Sequence, residues 1–98
     1  MNQDTTTITL HTADGAPLTQ ERVRGTVMAA AAALAERFGI EVVRLEAAGA
    51  TLSVTLESDE LAAVGFAAEL RRTTNAWYES KFGAGPLWRS PAIGSGDE

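Results

Sequence analysis

Few side chains in this 98-residue chain have the type and spacing to do chemistry. His11 is the single histidine, and neither a His-x-x-x-His pair nor a carboxylate cluster accompanies it in the sequence. A metal site or a positioned general base needs such a partner, so His11 reads as an ordinary residue on a polar strand face, beside Glu57 if their strands pair. Asp59 and Glu60 are adjacent carboxylates, but their place before an apolar-periodic run suits the positive end of a helix better than acid/base work. The serines at positions 53, 58, 80 and 90 lack the glycine context of a nucleophile elbow. The glycines of the 83–86 segment follow a helix instead of opening one, and no Lys-Ser pair accompanies them, so no phosphate loop is expected. With no cysteine, thiol catalysis, disulfides and thiolate metal sites are excluded. No catalytic motif, cofactor site or metal site is read from the sequence.

Aromatic and basic residues give a better-defined candidate. Arg71, Arg72, Asn75, Trp77, Tyr78, Lys81, Phe82, Trp88 and Arg89 cluster in one stretch and include the residue types enriched at binding hot spots. Between Glu69 and Arg89 four basic residues stand against two acidic ones, although the whole chain carries −5. That overall charge argues against nucleic-acid binding, which requires a positive surface. The local excess suits an acidic protein partner. A second candidate surface is the row Gly25, Ala29 and Ala33, where small residues at four-residue spacing let another helix approach closely. The plainer alternatives are that Trp77 and Phe82 are late core residues covered by Leu87 and Trp88 of the same chain, and that the alanines merely favour a helix.

These residues must be positioned by regular elements. Residues 59–82 predict a helix, with Ala63, Phe66, Ala67, Leu70, Thr74 and Trp77 on one face at alternating three- and four-residue spacing. Such a helix is about 36 Å long and overhangs strands of about 23 Å, and the overhang carries the aromatic group. Residues 20–38 predict another helix, capped by Thr19, with Val23, Val27, Ala30, Leu34 and Phe38 facing the core and Gly39 ending it. Strands are expected over 5–11, over 40–47 with Val43 and Leu45 on one face and Val42 on the other, and over 51–57. The glycine-bearing turn at Ala48-Gly49 joins the last two as a hairpin.

The order is βαββα. A helical crossover between the first two strands leaves the third strand between them, antiparallel to both. The expected fold is therefore an α+β two-layer sandwich of sheet order 1-3-2 with both helices on one face, ferredoxin-like but without a convincing fourth strand. Residues 87–93 can supply only an edge strand, because Pro86 and Pro91 remove donors, or else fold over the exposed rings with Trp88 as a plug. Hydrophobic residues at 45% and charged residues at 21% are ordinary globular usage, which suits one domain over residues 1–89 and a disordered tail over 90–98. Nothing resembles a secretory signal or a membrane span, and a cytoplasmic location is expected. The function expected is a small non-enzymatic module for contact with itself or another protein. The alternative is a small-molecule binder or minor enzyme with a cleft near Arg71, Asn75 and Tyr78.

Overall fold

Three rungs of inward side chains, apolar except for Thr6, cross a three-stranded sheet and set where everything else must pack. Strands β1 (Thr6–His11), β2 (Glu41–Ala48) and β3 (Thr51–Glu57) lie in the order β1-β3-β2, with both neighbouring pairs antiparallel. Leu52 of β3 stands between Leu10 and Ala47, Val54 between Ile8 and Leu45, and Leu56 between Thr6 and Val42. Alternation turns Thr7, Thr9 and His11 to the other face, where the hydroxyls of Thr7 and Thr55 lie 2.8 Å apart. In this computed structural model residues 4–83 and 85–89 are described, and the tail expected over 90–98 lies outside them.

Both helices, α1 (Glu21–Phe38) and α2 (Glu60–Phe82), cover the apolar face, giving the βαββα two-layer α+β sandwich. Helix α2 starts as its sequence directs: Asp59 Oδ1 accepts from the Ala62 N–H at 2.8 Å. Its stripe Ala63, Phe66, Leu70 and Thr74 is buried, with Ala67 and Trp77 partly so. Gly39 and Gly83 end the two helices in the left-handed conformation, at φ 70° and 67°, where a side chain would strain the backbone.

Three expectations are corrected. Val43 faces away from the core, because β2 contains a bulge: Val42 lies opposite Leu56 and Arg44 opposite Thr55, so Val42 and Leu45 both turn inward. Thr19 does not cap α1. It belongs to a single 3-10 turn (Pro17–Thr19), donates its hydroxyl hydrogen to Ala16 O, and leaves Gln20 as the cap residue without a side-chain bond. In α1 the core takes Ala31 and Ala35 beside Val23, Val27 and Leu34, while Ala30 is half-buried and Phe38 is exposed. In an alanine run, side-chain size does not mark the inward face, so only the larger residues set the helix rotation. Phe38 still meets Phe66 edge-on at 6.1 Å between centroids.

The chain after α2 combines the edge-strand and plug arrangements. Trp88 bridges Thr12 in antiparallel sense, with Ala13 N–H donating to Leu87 O at 2.9 Å and Arg89 N–H to His11 O at 2.7 Å. Leu87–Arg89 thus begins a fourth position beside β1. Trp88 is also the largest fully buried side chain, only 1% exposed, and its indole N–H donates to Thr74 Oγ1 at 2.7 Å. Thr74 passes its own hydrogen to Leu70 O at 2.6 Å, so the buried polar chain is satisfied end to end. Trp88→Ala should therefore lower unfolding stability by about 3–5 kcal/mol, and Thr74→Val, which orphans the indole N–H, by about 1–3 kcal/mol. Urea titration followed by circular dichroism checks both; an unshifted Trp88→Ala midpoint would mean that Trp88 is not part of the core.

Candidate functional site

The groups considered for chemistry are scattered. His11 is exposed opposite Thr51, whereas Glu57 lies opposite Glu41 at the far end of β3, so the expected neighbourhood of His11 and Glu57 does not exist. Asp59 is occupied as a helix cap, and the Ser58 hydroxyl donates to Asp59 O. Among the described residues no group of three or more histidine and carboxylate side chains could hold a metal ion.

Helix α2 carries a second stripe. Leu61, Val64, Ala68, Arg71, Asn75, Tyr78 and Phe82 follow one another at alternating three- and four-residue spacing, offset from the core stripe toward β1 and the tail. The C-terminal half of this stripe is covered by the chain itself. Asn75 Oδ1 accepts from the N–H groups of Leu87 and Trp88, at 2.9 and 3.0 Å. Tyr78 lines a recess with Ala13, Asp14, Pro17 and residues 85–87. Phe82 packs against Tyr78 at 4.8 Å between centroids with the rings tilted by 41°, and meets Trp77 edge-on at 5.8 Å, but stays 39% exposed.

The N-terminal half of the stripe is bare. Leu61 is 82% exposed and Val64 59%, and Ala68 is exposed beside them. With Ile8, Thr9, Leu10, Ala67 and Arg71, Val64 and Ala68 line an open groove between α2 and β1. The floor of the groove is the outer edge of β1. Thr12 N–H turns to Ala50 of the hairpin, while His11 O and Ala13 N–H turn to the tail. Alternation therefore points the backbone groups of Thr7 and Thr9 outward, where no strand pairs with them among the described residues. Arg71 is half-buried in the groove wall, and its Nε is shut off from solvent without a hydrogen-bond partner among the described residues. Burial draws its guanidinium below the usual arginine range, and it stays cationic at neutral pH.

The other expected contact residues divide among several places. Trp88 is a core residue of its own chain and not a surface contact, because the tail folds back in cis. Trp77 and Tyr78 are half-buried against the core. The basic group is not one patch: Arg72 is paired with Glu69, whose carboxyl is lowered chiefly by that hydrogen bond, with a lesser pull from Arg37 of α1. Arg71, one residue earlier, faces β1 instead. Lys81 and Arg89 are exposed, and the Arg89 backbone is held by His11. Gly25, Ala29 and Ala33 are all exposed along α1, with Ala33 on the rim of a shallow recess against Leu70 and Thr73. Of the residues expected around a cleft, Asn75 is bonded to the backbone of Leu87 and Trp88, while Tyr78 and Arg71 line two different recesses.

Leu61, Val64 and Ile8 escaped the sequence reading as contact residues. The signal was the second three-four stripe, which runs parallel to the core stripe and is masked by its larger side chains. No protein-family model and no curated protein matches the chain.

Because Asn75 Oδ1 accepts two backbone donors, Asn75→Leu should cost about 1–3 kcal/mol through the two abandoned N–H groups. Asn75→Asp, which keeps an acceptor in place, should stay much closer to wild type. Equal losses from both variants, in thermal melts at pH 7, would show that the oxygen does not hold the tail.

Proposed function

We propose that this chain is a small, non-enzymatic protein–protein interaction module of the cytoplasm, either self-associating or a subunit of a larger assembly. The observation that carries the reading is the bare Leu61–Val64–Ala68 stripe, of which Val64 and Ala68 line a groove with β1, whose edge at Thr7 and Thr9 has no strand partner among the described residues. Single exposed apolar residues are commonplace; an apolar stripe continuous with open backbone groups is a place for a strand to add.

The two edges of the sheet support this reading by contrast. Sheet edges are ordinarily blunted by charge, proline or a bulge. Strand β2 has all of this but proline: Glu41, Arg44 and Glu46, with the bulge at Val43. Strand β1, Thr-Thr-Ile-Thr-Leu-His, has no acidic residue, lysine, arginine, proline or bulge. One edge is protected and the other is left receptive. The contact surface thus lies on the N-terminal half of α2 and on β1, displaced from the aromatic end, which the tail has largely covered. The Gly25, Ala29 and Ala33 row has no comparable edge beside it.

A photo-reactive side chain at position 64 should give discrete protein–protein adducts in a concentrated native extract, and one at position 46, on the protected edge, should not. At concentrations too low for any association, Val64→Lys should leave the melting temperature nearly unchanged, within about 0.5 kcal/mol of stability, since in the single chain the side chain is already in water. Absence of adducts from position 64 would remove this reading.

A further inference from the structure

We propose that the groove is filled by a second copy of this chain, with β1 pairing antiparallel to β1 across a two-fold axis at Ile8. This rests on the reading of the groove as a protein-contact surface, and it names the occupant. A two-fold interface must be self-complementary, each patch meeting itself reversed. The β1 edge satisfies that condition. With Ile8 opposite Ile8, the outward N–H of Thr9 meets the outward C=O of Thr7 in the copy, and the reverse pair forms by symmetry. No charged residue is brought opposite another, because Thr6 to Leu10 contains none. Among the described residues the chain's own end, Leu87 to Arg89, holds His11 to Ala13 of this edge and leaves Thr6 to Leu10 for the copy.

The helices above the junction are complementary in charge. The Thr6 hydroxyl donates to Ser58 O at 3.0 Å, and Thr12 pairs with Trp88, whose N–H reaches Asn75. Helix α2 therefore runs alongside β1 in the same direction. Ile8 lies one third of the way from Thr6 to Thr12, which corresponds to Val64 between Ser58 and Asn75, and both line the groove. An axis at Ile8 then sets the two α2 helices antiparallel about Val64, with Leu61 facing Ala68 of the copy. Gly65 is exposed, with nothing within 4 Å of where a side chain would begin, so the helices can come close. Arg71 is carried to the start of the other α2, where Glu57 and Glu60 lie. The half-buried guanidinium, whose Nε has no acceptor among the described residues of one chain, meets carboxylates of the other, twice per dimer.

Light scattering over a concentration series should give twice the 10.3 kDa chain mass. Val64→Lys puts like charges together at the axis and should weaken the dimer about 100-fold or more. Thr9→Pro deletes an N–H that no described residue of its own chain uses and should also yield monomer while the chain stays folded. Arg71→Glu and Glu60→Arg should each weaken association about tenfold or more, and the double variant should recover most of it. A wild-type monomer at every concentration overturns the proposal, as does a dimer indifferent to Val64→Lys and Thr9→Pro. Adducts to a different protein from position 64 of a monomer would overturn self-pairing and leave the contact surface standing. A monomer that dimerises only after removal of residues 90–98 would assign the groove to the chain's own end.

Discussion

The docking of Trp88 is the interaction on which the two layers jointly depend. One residue satisfies three separate demands: its indole fills the space beneath α2, its N–H closes on Asn75, and its backbone extends the sheet beside Thr12. Without it, α2 would project beyond the strands with two aromatic rings and a carboxamide facing water. The indole N–H is the one polar atom the ring brings inside, and the adjacent Thr74 hydroxyl accepts it while donating onward to Leu70 O. A large side chain with a single donor can be buried this way only where a hydroxyl with a spare lone pair already stands.

Much of this organisation was legible in the residues. The order of elements, the central place of the third strand and the inward face of α2 follow from periodicities of two and about 3.6 that large side chains mark clearly. Asp59 announced the start of α2, and Gly39 and Gly83 the ends of the helices. Where side chains are small or a residue is inserted, the pattern fails. Val43 reads inward because alternation assumes one residue per rung, and nothing local reveals a bulge. Ala30 and Ala31 are indistinguishable in a run of alanines, so periodicity alone sets α1 a fraction of a turn from its true rotation. The contact surface suffered a related error. Tryptophan, tyrosine and arginine drew attention to the helix end, yet the same chemistry that makes them good contacts makes them good core when the chain's own tail is near. Leu61 and Val64 are unremarkable residue types, and only their exposure beside an open strand gives them meaning.

The helix thus serves two seams at once. One holds the domain together and the other is divided between the tail and open solvent, with Arg71 at the division. A single helix can do so because the seams sit side by side around its circumference, their centres about a third of a turn apart. Small residues along both, from Ala63 and Ala67 to Ala68, keep the helix close to the sheet and leave the groove shallow.

The place of β3 in the middle of the sheet also shapes the life of the chain before it is folded. Its hairpin with β2 closes locally, but β1 must wait: Thr7 and Thr55, which touch in the finished sheet, are 48 residues apart along the chain. Closing so long a loop is slow compared with forming a hairpin. A ribosome emits β1 first and its only in-chain strand partner among the described residues much later. For that interval an uncharged, threonine-rich segment has both sides open, and crowded nascent chains would meet through it before they meet themselves. The synthesis rate across residues 12–57 therefore bears on yield as directly as the stability of the finished domain does.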